Sequence, residues 1–221
     1  MSRRWSLARR LNRIFLGTTL VFIGIVLLWF YVLAIILLSG AGASASLQLG
    51  FIPLRVGLDL PGAWLPVWVT PLTATLVHAG MLHLAMNIIL LIWCGKEVER
   101  IVGASGVVAL YIVGAFAAAA AQYALDPIAA FPMVGASGAI SALVGAFAMS
   151  FSRPKPIVRH FRLNRALNTL WILVAWVVLQ WMTGYLMGMQ GVSVATGAHV
   201  GGFIAGVILL KPLLLWRYRK A

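Results

Sequence analysis

The sequence predicts an all-α membrane protein with six transmembrane helices and both termini in the cytoplasm. Apolar residues make up 62% of the 221-residue chain and charged residues only 10%, and the mean hydropathy is +1.01. This composition leaves too little polar surface to cover a soluble domain. Six apolar stretches are long enough to cross the hydrocarbon layer, and basic residues cluster at alternate ends of them.

The predicted membrane domain, residues 14–216, lies between two short basic segments. Residues 1–13 are predicted to form a cytoplasmic arm and residues 217–221 a cytoplasmic tail. Residues 40–70 form the first outer loop, which is either an element at the membrane interface, as its tryptophans suggest, or a flexible connector. The six spans, numbered in chain order, are 14–39, 76–94, 104–125, 134–152, 168–187 and 198–216.

The net charge of +13 indicates membrane topology rather than nucleic-acid binding. Sixteen of the 17 Lys and Arg residues fall on one side of the predicted membrane, and Arg55 alone falls on the other. The positive-inside rule assigns the basic side to the cytoplasm. Nucleic-acid binding is therefore a poor second interpretation, and the lipid bilayer is the predicted partner.

The first residues, MSRRWSLARRLNR, also have the composition of an organelle transit peptide, being rich in Arg and free of acids. They run directly into a long apolar stretch without a small-residue cleavage site. This continuity favours an uncleaved cytoplasmic arm.

Neither a disulfide nor a cofactor is predicted. Cys94 is the single cysteine, so we interpret it as a packing residue. The four histidines are too few and too separated for a recognisable metal motif, and no organic cofactor is indicated.

Four polar residues fall at one predicted depth in three of the spans. Spans two, four and six all run from outside to inside, and His83, Asn87, Ser137 and His199 lie near their starts. Hydrogen-bonding groups at such a depth are costly, which makes them functional candidates. Packing residues would have no reason to share a depth, so the four are predicted to form one site.

Ser137 is the candidate nucleophile, in the sequence Gly135-Ala136-Ser137-Gly138 at the start of span four. A serine hydroxyl needs a base to take its proton. The glycines allow a substrate backbone to approach, and the free amides of a helix start can donate to developing negative charge. An isolated motif of this kind more often serves packing or bonds back to the preceding turn, but its companions favour catalysis.

His199 is the only histidine in the last three spans, so it is the candidate base for Ser137. The acids Asp59, Glu97, Glu99 and Asp126 fall in the outer loops or on the inner side. A Ser-His dyad is therefore predicted rather than a triad. Taken alone, His199 could instead be a packed histidine or part of a proton pathway.

His83 and Asn87 are four residues apart and so share one face of span two. Their imidazole and amide donors could together hold an oxyanion. The alternative is that the pair joins helices by hydrogen bonds.

Small residues repeat at intervals of four in two spans. Gly202 and Gly206 follow Ala198 in span six, and the second series is Ser137, Ser141 and Gly145 in span four. Such stripes let two helix backbones approach closely. If they face each other, Ser137 and His199 come within hydrogen-bonding distance.

Four motifs follow one another at membrane spacing: His78-Ala-Gly-Met-Leu-His83-Leu-Ala-Met-Asn87; Gly95, Glu99 and Gly103; Gly135-Ala136-Ser137-Gly138; and Ala198-His199 with Gly202 and Gly206. In this order they resemble the motifs of rhomboid intramembrane serine proteases, in particular the compact six-helix bacterial type. The resemblance covers residues from about 70 to 210. It implies a location in the bacterial plasma membrane.

The resemblance implies that Ser137 is the nucleophile and His199 the general base and acid. It implies an oxyanion site made by His83, Asn87 and the backbone amide of Ser137. The implied substrates are transmembrane proteins, cut in or near the outer end of a helix where the backbone can unwind. Span five is implied to move aside when a substrate helix enters, although its bulky residues also suit a simple lipid-facing surface.

Two positions depart from the pattern of the family. The first outer loop lacks the usual Trp-Arg pair, and Ser141 stands where some relatives place an aromatic ring against the base histidine. A non-proteolytic relative that binds membrane clients is the main alternative, but it should lack Ser137 or His199. A transporter is disfavoured because the sequence shows no inverted repeat and no acid within the hydrocarbon region.

Overall fold

The computed structural model of the chain describes residues 22–58, 64–151, 155–189 and 194–219. The predicted arm, residues 1–13, and the first part of span one lie outside these residues, as does the end of the tail. The described residues form seven α-helices: α1 Phe22–Ser39, α2 Gly42–Leu49, α3 Thr70–Thr73, α4 Met81–Leu125, α5 Ser137–Phe151, α6 Phe161–Gly188 and α7 Thr196–Arg217.

The long helix α4 reverses direction at Gly103, where φ is 78° and ψ is 171°. A methyl group at Gly135 would collide with His83 near the start of α4, and one at Gly138 would collide with Ala118 near its end. A straight helix would separate residues 83 and 118 by roughly 50 Å at about 1.5 Å per residue. The contacts therefore require a hairpin, whose halves, 81–102 and 104–125, correspond to spans two and three.

Helix α5 occupies the centre of the fold, between both halves of α4 and the length of α7. Its buried residues are mostly small, and Ile140 and Leu143 supply larger side chains to the core. At about 1.5 Å per residue the 15-residue helix is roughly 22 Å long, shorter than a hydrocarbon core of about 30 Å.

Helices α1 and α6 lie at the periphery. Trp29 and Leu33 of α1 are buried, whereas the large apolar side chains on its other face are exposed. In α6, Gln180 is the one buried residue among the side chains that the structure describes. Exposed apolar helix surface of this extent suits contact with lipid.

Four helices among the described residues are long and apolar enough to cross a membrane: Phe22–Ser39, Met81–Leu125, Phe161–Leu186 and Thr196–Arg217. The all-helical fold of the prediction is thus present, while the count of six spans and the side of the termini stay predictions. Helix α6 begins seven residues before predicted span five, because residues 161–167, which include Arg162, Asn164 and Arg165, continue the helix beyond the apolar stretch.

The segment predicted as the first outer loop, residues 40–70, is partly helical where it is described. It contains α2 and a 3₁₀ turn at Pro53–Val56, and buried Arg55 donates from its guanidinium to the carbonyl of Leu65. Phe51 exchanges backbone hydrogen bonds of 3.0 and 2.8 Å with Met133. The amide of Gly135 donates to Ala74 over 2.9 Å. These bonds fix the segment that leads into α5.

Candidate active site

Ser137 and His199 are joined by a hydrogen bond of 2.8 Å between the serine Oγ and the imidazole Nε2. Ser137 is the first residue of α5, and His199 lies in the first turn of α7. Both side chains are half-buried, so the pair sits within the bundle without being sealed from its surroundings. The structure brings together the nucleophile and base that the sequence indicates, with the contact a proton transfer requires.

Glycines allow this contact because they bring α5 and α7 unusually close. A methyl group at Gly202 would collide with the carbonyl oxygen of Gly138, and one at Gly206 with the backbone of Ala142. Gly145 of α5 lies in the same way against the backbone of Phe203. The two small-residue stripes face each other, as expected for helices whose backbones touch.

His83 lies against Gly135, two residues before Ser137. A methyl group at Gly135 would stand 2.6 Å from the His83 Nε2, and the φ of +107° at this glycine is also unfavourable for other residues. The amide of Ala79 points at the His83 Nδ1 over a long 3.5 Å. When the His83 Nδ1 accepts this hydrogen bond, the proton of the neutral ring lies on Nε2. The ring nitrogen nearest Gly135 is then a hydrogen-bond donor.

Asn87 is buried one turn further along α4, and its Nδ2 donates to the carbonyl of His83 over 3.1 Å. The amide is thus bonded to its own helix. His83 also packs edge-on against the buried ring of His78, with 5.2 Å between the ring centres. These contacts fix the position of the His83 ring, whereas a direct role for Asn87 toward an oxyanion stays a prediction.

The start of α5 offers further donors. Its first bond of the helical pattern runs from the Ile140 amide to the Ala136 carbonyl, 2.9 Å away. The amides of Ser137, Gly138 and Ala139 therefore precede the regular hydrogen bonds of the helix. Together with the helix dipole, they favour negative charge beside the serine hydroxyl.

A residue that the sequence did not single out contacts the second nitrogen of the base. Gln180 of α6 is 8% exposed, and its Oε1 lies 2.7 Å from the His199 Nδ1. One turn earlier, the indole Nε1 of Trp176 donates to the carbonyl of His199 over 3.3 Å. The only signal in the sequence was an amide within an apolar, aromatic stretch, a pattern that is equally common at helix contacts in membranes.

Comparison with known proteins agrees with this arrangement. A model of the Rhomboid domain matches residues 66–216, which is more than half of the chain. The chain belongs to the rhomboid family. The chain is 26% identical to Rhomboid protease GluP of Bacillus subtilis over 195 residues, which are 88% of this chain and 35% of that protein.

Two further rhomboid relatives align over shorter regions. RHOMBOID-like protein 5 of Arabidopsis thaliana is 30% identical over 141 residues, covering 62% of this chain and 42% of the relative. Rhomboid protease GlpG of Haemophilus influenzae is 29% identical over 134 residues, covering 61% and 64%. The chain thus spans less than half the length of the Bacillus and Arabidopsis relatives, and what their other regions do is not transferred to it.

In this rhomboid family member the side chain of Ser141 does not hold His199, the predicted base. Ser141 is buried in α5 and donates to the carbonyl of Ser137 over 2.8 Å, so its hydroxyl is used within its own helix. Trp176 stacks on Phe203, with ring centres 4.9 Å apart and planes 14° apart. Two hydrogen bonds to His199 come from α6, through Trp176 and Gln180.

Proposed function

We propose that the protein is an intramembrane serine endopeptidase that hydrolyses peptide bonds of transmembrane proteins. The observation that carries this proposal is the 2.8 Å hydrogen bond between the Ser137 Oγ and the His199 Nε2. Membership of the rhomboid family, with relatives named rhomboid protease, supports the reaction class.

In the acylation step, the His199 Nε2 takes the proton of the Ser137 hydroxyl as the Oγ attacks the substrate carbonyl carbon. The new C–O bond converts the carbonyl into a tetrahedral oxyanion. His199 then gives its proton to the leaving amine nitrogen as the C–N bond breaks. In the second half, water attacks the acyl carbon, His199 accepts a water proton and returns it to the Oγ, and the C–Oγ bond breaks.

The oxyanion would be stabilised by the backbone amide of Ser137 at the start of α5 and by the Nε2–H of His83. Asn87 is proposed as a third donor, through the amide hydrogen that is not directed at the His83 carbonyl. Loss of one such donor in a hydrolase costs about 10²–10³ in kcat. His83→Ala and Asn87→Ala would therefore be slow but not inert.

The site is proposed to lie near the outer membrane face. Arg217, at the far end of α7 from His199, donates to the carbonyl of Glu99 over 2.9 Å, beside the reversal at Gly103. Basic residues gather at that end of the bundle, and the positive-inside rule assigns it to the cytoplasm. The preferred substrates are transmembrane helices whose outer ends unwind easily, because a helical amide is shielded by its own hydrogen bonds.

The proposal is tested by incubating the purified protein in liposomes with a single-span model substrate. We expect cleavage by the parent and loss of at least about a thousandfold in Ser137→Ala and His199→Ala. Ser150→Ala is a matched control, because Ser150 also lies in α5 and bonds back to its own helix. His160→Ala, in the loop before α6, controls for loss of a histidine.

A non-proteolytic binder of membrane clients is the second candidate, since some relatives are named only rhomboid-like. A parent that binds several substrates without cutting any would favour it. Undiminished cleavage by Ser137→Ala would contradict the proposed nucleophile. Mass spectrometry of the products gives the cut position, and a cut at the inner end of the substrate helix would contradict the proposed face.

A further inference from the structure

The peripheral helix α6 sends one buried polar side chain into the bundle, and that side chain ends on the base histidine. The Gln180 Oε1 lies 2.7 Å from the His199 Nδ1, within the range of a good N–H···O hydrogen bond. The other ring nitrogen, Nε2, faces the Ser137 Oγ at 2.8 Å. His199 is thus bonded at both nitrogens, between α5 and α6.

An amide oxygen can only accept a hydrogen bond, so this geometry places the proton of neutral His199 on Nδ1. The Nε2 is then unprotonated and accepts the serine hydroxyl. This is the tautomer that a general base needs, because Nε2 must be free to take the proton of Ser137. With the opposite orientation of the Gln180 amide, its NH₂ group would donate to Nδ1 and the proton would lie on Nε2.

A neutral amide suits this location better than the carboxylate of a soluble triad. An ionised acid at this depth would be costly, while an amide oxygen selects the same tautomer without a buried charge. Among the described acids, Glu97 and Glu99 lie at the opposite end of the bundle, beside Gly103 and Arg217. Asp126 follows α4 at the same end as His199, but the ring nitrogens of His199 face Ser137 and Gln180 instead. A carboxylate partner for His199 is therefore replaced by an amide from a neighbouring helix.

The register of α6 against α7 is fixed one turn away on each side of Gln180. Trp176 donates to the carbonyl of His199 over 3.3 Å and stacks on Phe203. Gly184 lies so close to Thr196 that an added methyl group would stand 2.5 Å from the threonine Oγ1. Residues 176, 180 and 184 form one stripe at helical spacing, so the amide is held where the ring needs it.

We infer that Gln180 is the positioning residue of the active site, which holds His199 in its Nδ1–H tautomer and aims its Nε2 at Ser137. The inference rests on the proposed function, because it assigns the third member of the same hydrolytic site. It predicts that the rate of attack by Ser137, rather than substrate affinity, depends on an acceptor oxygen at position 180.

The test uses the full chain in detergent micelles and compares the parent with Gln180→Leu and Gln180→Glu. Gln180→Leu removes the acceptor, whereas Gln180→Glu keeps an oxygen at the same reach. Thr183→Ala is the control on α6, because its hydroxyl bonds to Leu179 of its own helix. Two rates are measured: labelling of Ser137 by an electrophilic phosphonate and turnover of the single-span substrate.

We expect Gln180→Leu to slow phosphonate labelling and kcat by about ten- to hundredfold with KM within about twofold, since a buried donor loses its partner. Thr183→Ala should stay within about threefold of the parent, and so should Gln180→Glu, because a carboxyl that is protonated at this depth still offers a carbonyl oxygen to the His199 Nδ1–H. Equal rates in the parent and Gln180→Leu would overturn the inference, and so would equal losses in Gln180→Leu and Gln180→Glu.

Nuclear magnetic resonance of histidine-selectively ¹⁵N-labelled protein gives a readout that does not depend on activity. The His199 signal, assigned by its absence in His199→Ala, should show the Nδ1–H tautomer in the parent and a shift toward Nε2–H in Gln180→Leu. An Nε2–H tautomer in the parent would overturn the inference. A parent with the Nδ1–H tautomer that neither labels nor cleaves would instead contradict the proposed hydrolase.

Discussion

Helix α7 meets α5 and α6 in two very different ways. Its contact with α5 is backbone against backbone, with Gly202 and Gly206 lying directly on Gly138 and Ala142. Its contact with α6 consists of side chains: the Trp176–Phe203 stack and the hydrogen bonds of Trp176 and Gln180 to His199. Ser137 and His199 thus face each other across an interface that we expect to be rigid, and Gln180 reaches His199 across one that we expect to be adaptable.

The difference shows how a membrane helix bundle can combine a fixed contact between two helices with an adjustable contact to a third. Without water inside the bilayer to drive burial, close association depends on van der Waals contact, which small residues maximise. The α5–α7 contact has this property, so the distance between the Ser137 Oγ and the His199 Nε2 is hard to change. Separation of α6 from α7 would break only a few side-chain contacts.

The largest expected effect comes from an added methyl group at the rigid interface. A methyl group at Gly206 would stand 2.7 Å from the carbonyl carbon of Ala142, and backbone cannot rotate away. Gly206→Ala should lower the free energy of unfolding by about 2 kcal/mol or more and abolish cleavage with it. Gly24→Ala is the control, because nothing lies within 4 Å of the added carbon. Thermal unfolding in detergent measures the stability of both variants, and the single-span substrate measures their cleavage. A stable and active Gly206→Ala would contradict the rigid interface.

The rigid interface is the part that the sequence could predict. Small residues at intervals of four identify a close helix contact; Ser137 heads one stripe, and His199 follows Ala198, which heads the other. A reversal between spans two and three was predicted, but the structure keeps residues 95–102 helical and turns at Gly103. The helices within residues 40–70 were not predicted, because short helices depend on contacts distant in sequence. Gln180 could not be identified, since its contact with His199 depends on how α6 is placed and rotated against α7, which the sequence of α6 alone does not determine.

The second largest effect on cleavage is expected when a disulfide cross-links α6 to α7. A Cβ at residue 184 would lie 3.8 Å from that of Thr196, which matches the mean separation of about 3.8 Å in disulfides. In a Cys94→Ala background, Gly184→Cys with Thr196→Cys should cross-link on oxidation. If α6 must move for a substrate helix to enter, oxidation should slow its cleavage at least about tenfold and reduction should restore it.

Phosphonate labelling of Ser137 is the control for this lock, because a small probe needs no displaced helix. It should proceed equally in the oxidised and reduced protein. Full substrate cleavage by the cross-linked protein would show that entry does not require separation of α6 from α7. Equal loss of labelling and cleavage would point to distortion of the site instead.

A smaller effect on stability and turnover is expected when a glycine is replaced by alanine at the α6–α7 interface. In Gly184→Ala the added carbon meets the Oγ1 of Thr196, a side-chain atom that can rotate away. The free energy of unfolding should therefore change by less than about 1 kcal/mol. Rotation of Thr196 relieves most of the collision, and the displacement of α6 that remains carries Gln180 with it, so turnover should fall about three- to tenfold. A stability loss equal to that of Gly206→Ala would remove the contrast between the interfaces.

The smallest effect should come from the Trp176 hydrogen bond. Trp176→Phe removes the indole N–H but keeps an aromatic ring for the stack on Phe203, and the lost bond is a long one of 3.3 Å. We expect turnover to fall only about two- to threefold, from roughly 0.5 kcal/mol. Combining Trp176→Phe with Gln180→Leu then measures whether the two contacts act together. Additive losses would mean that each holds His199 independently, whereas a coupling above about 0.5 kcal/mol would mean that losing either contact loosens α6 as a whole.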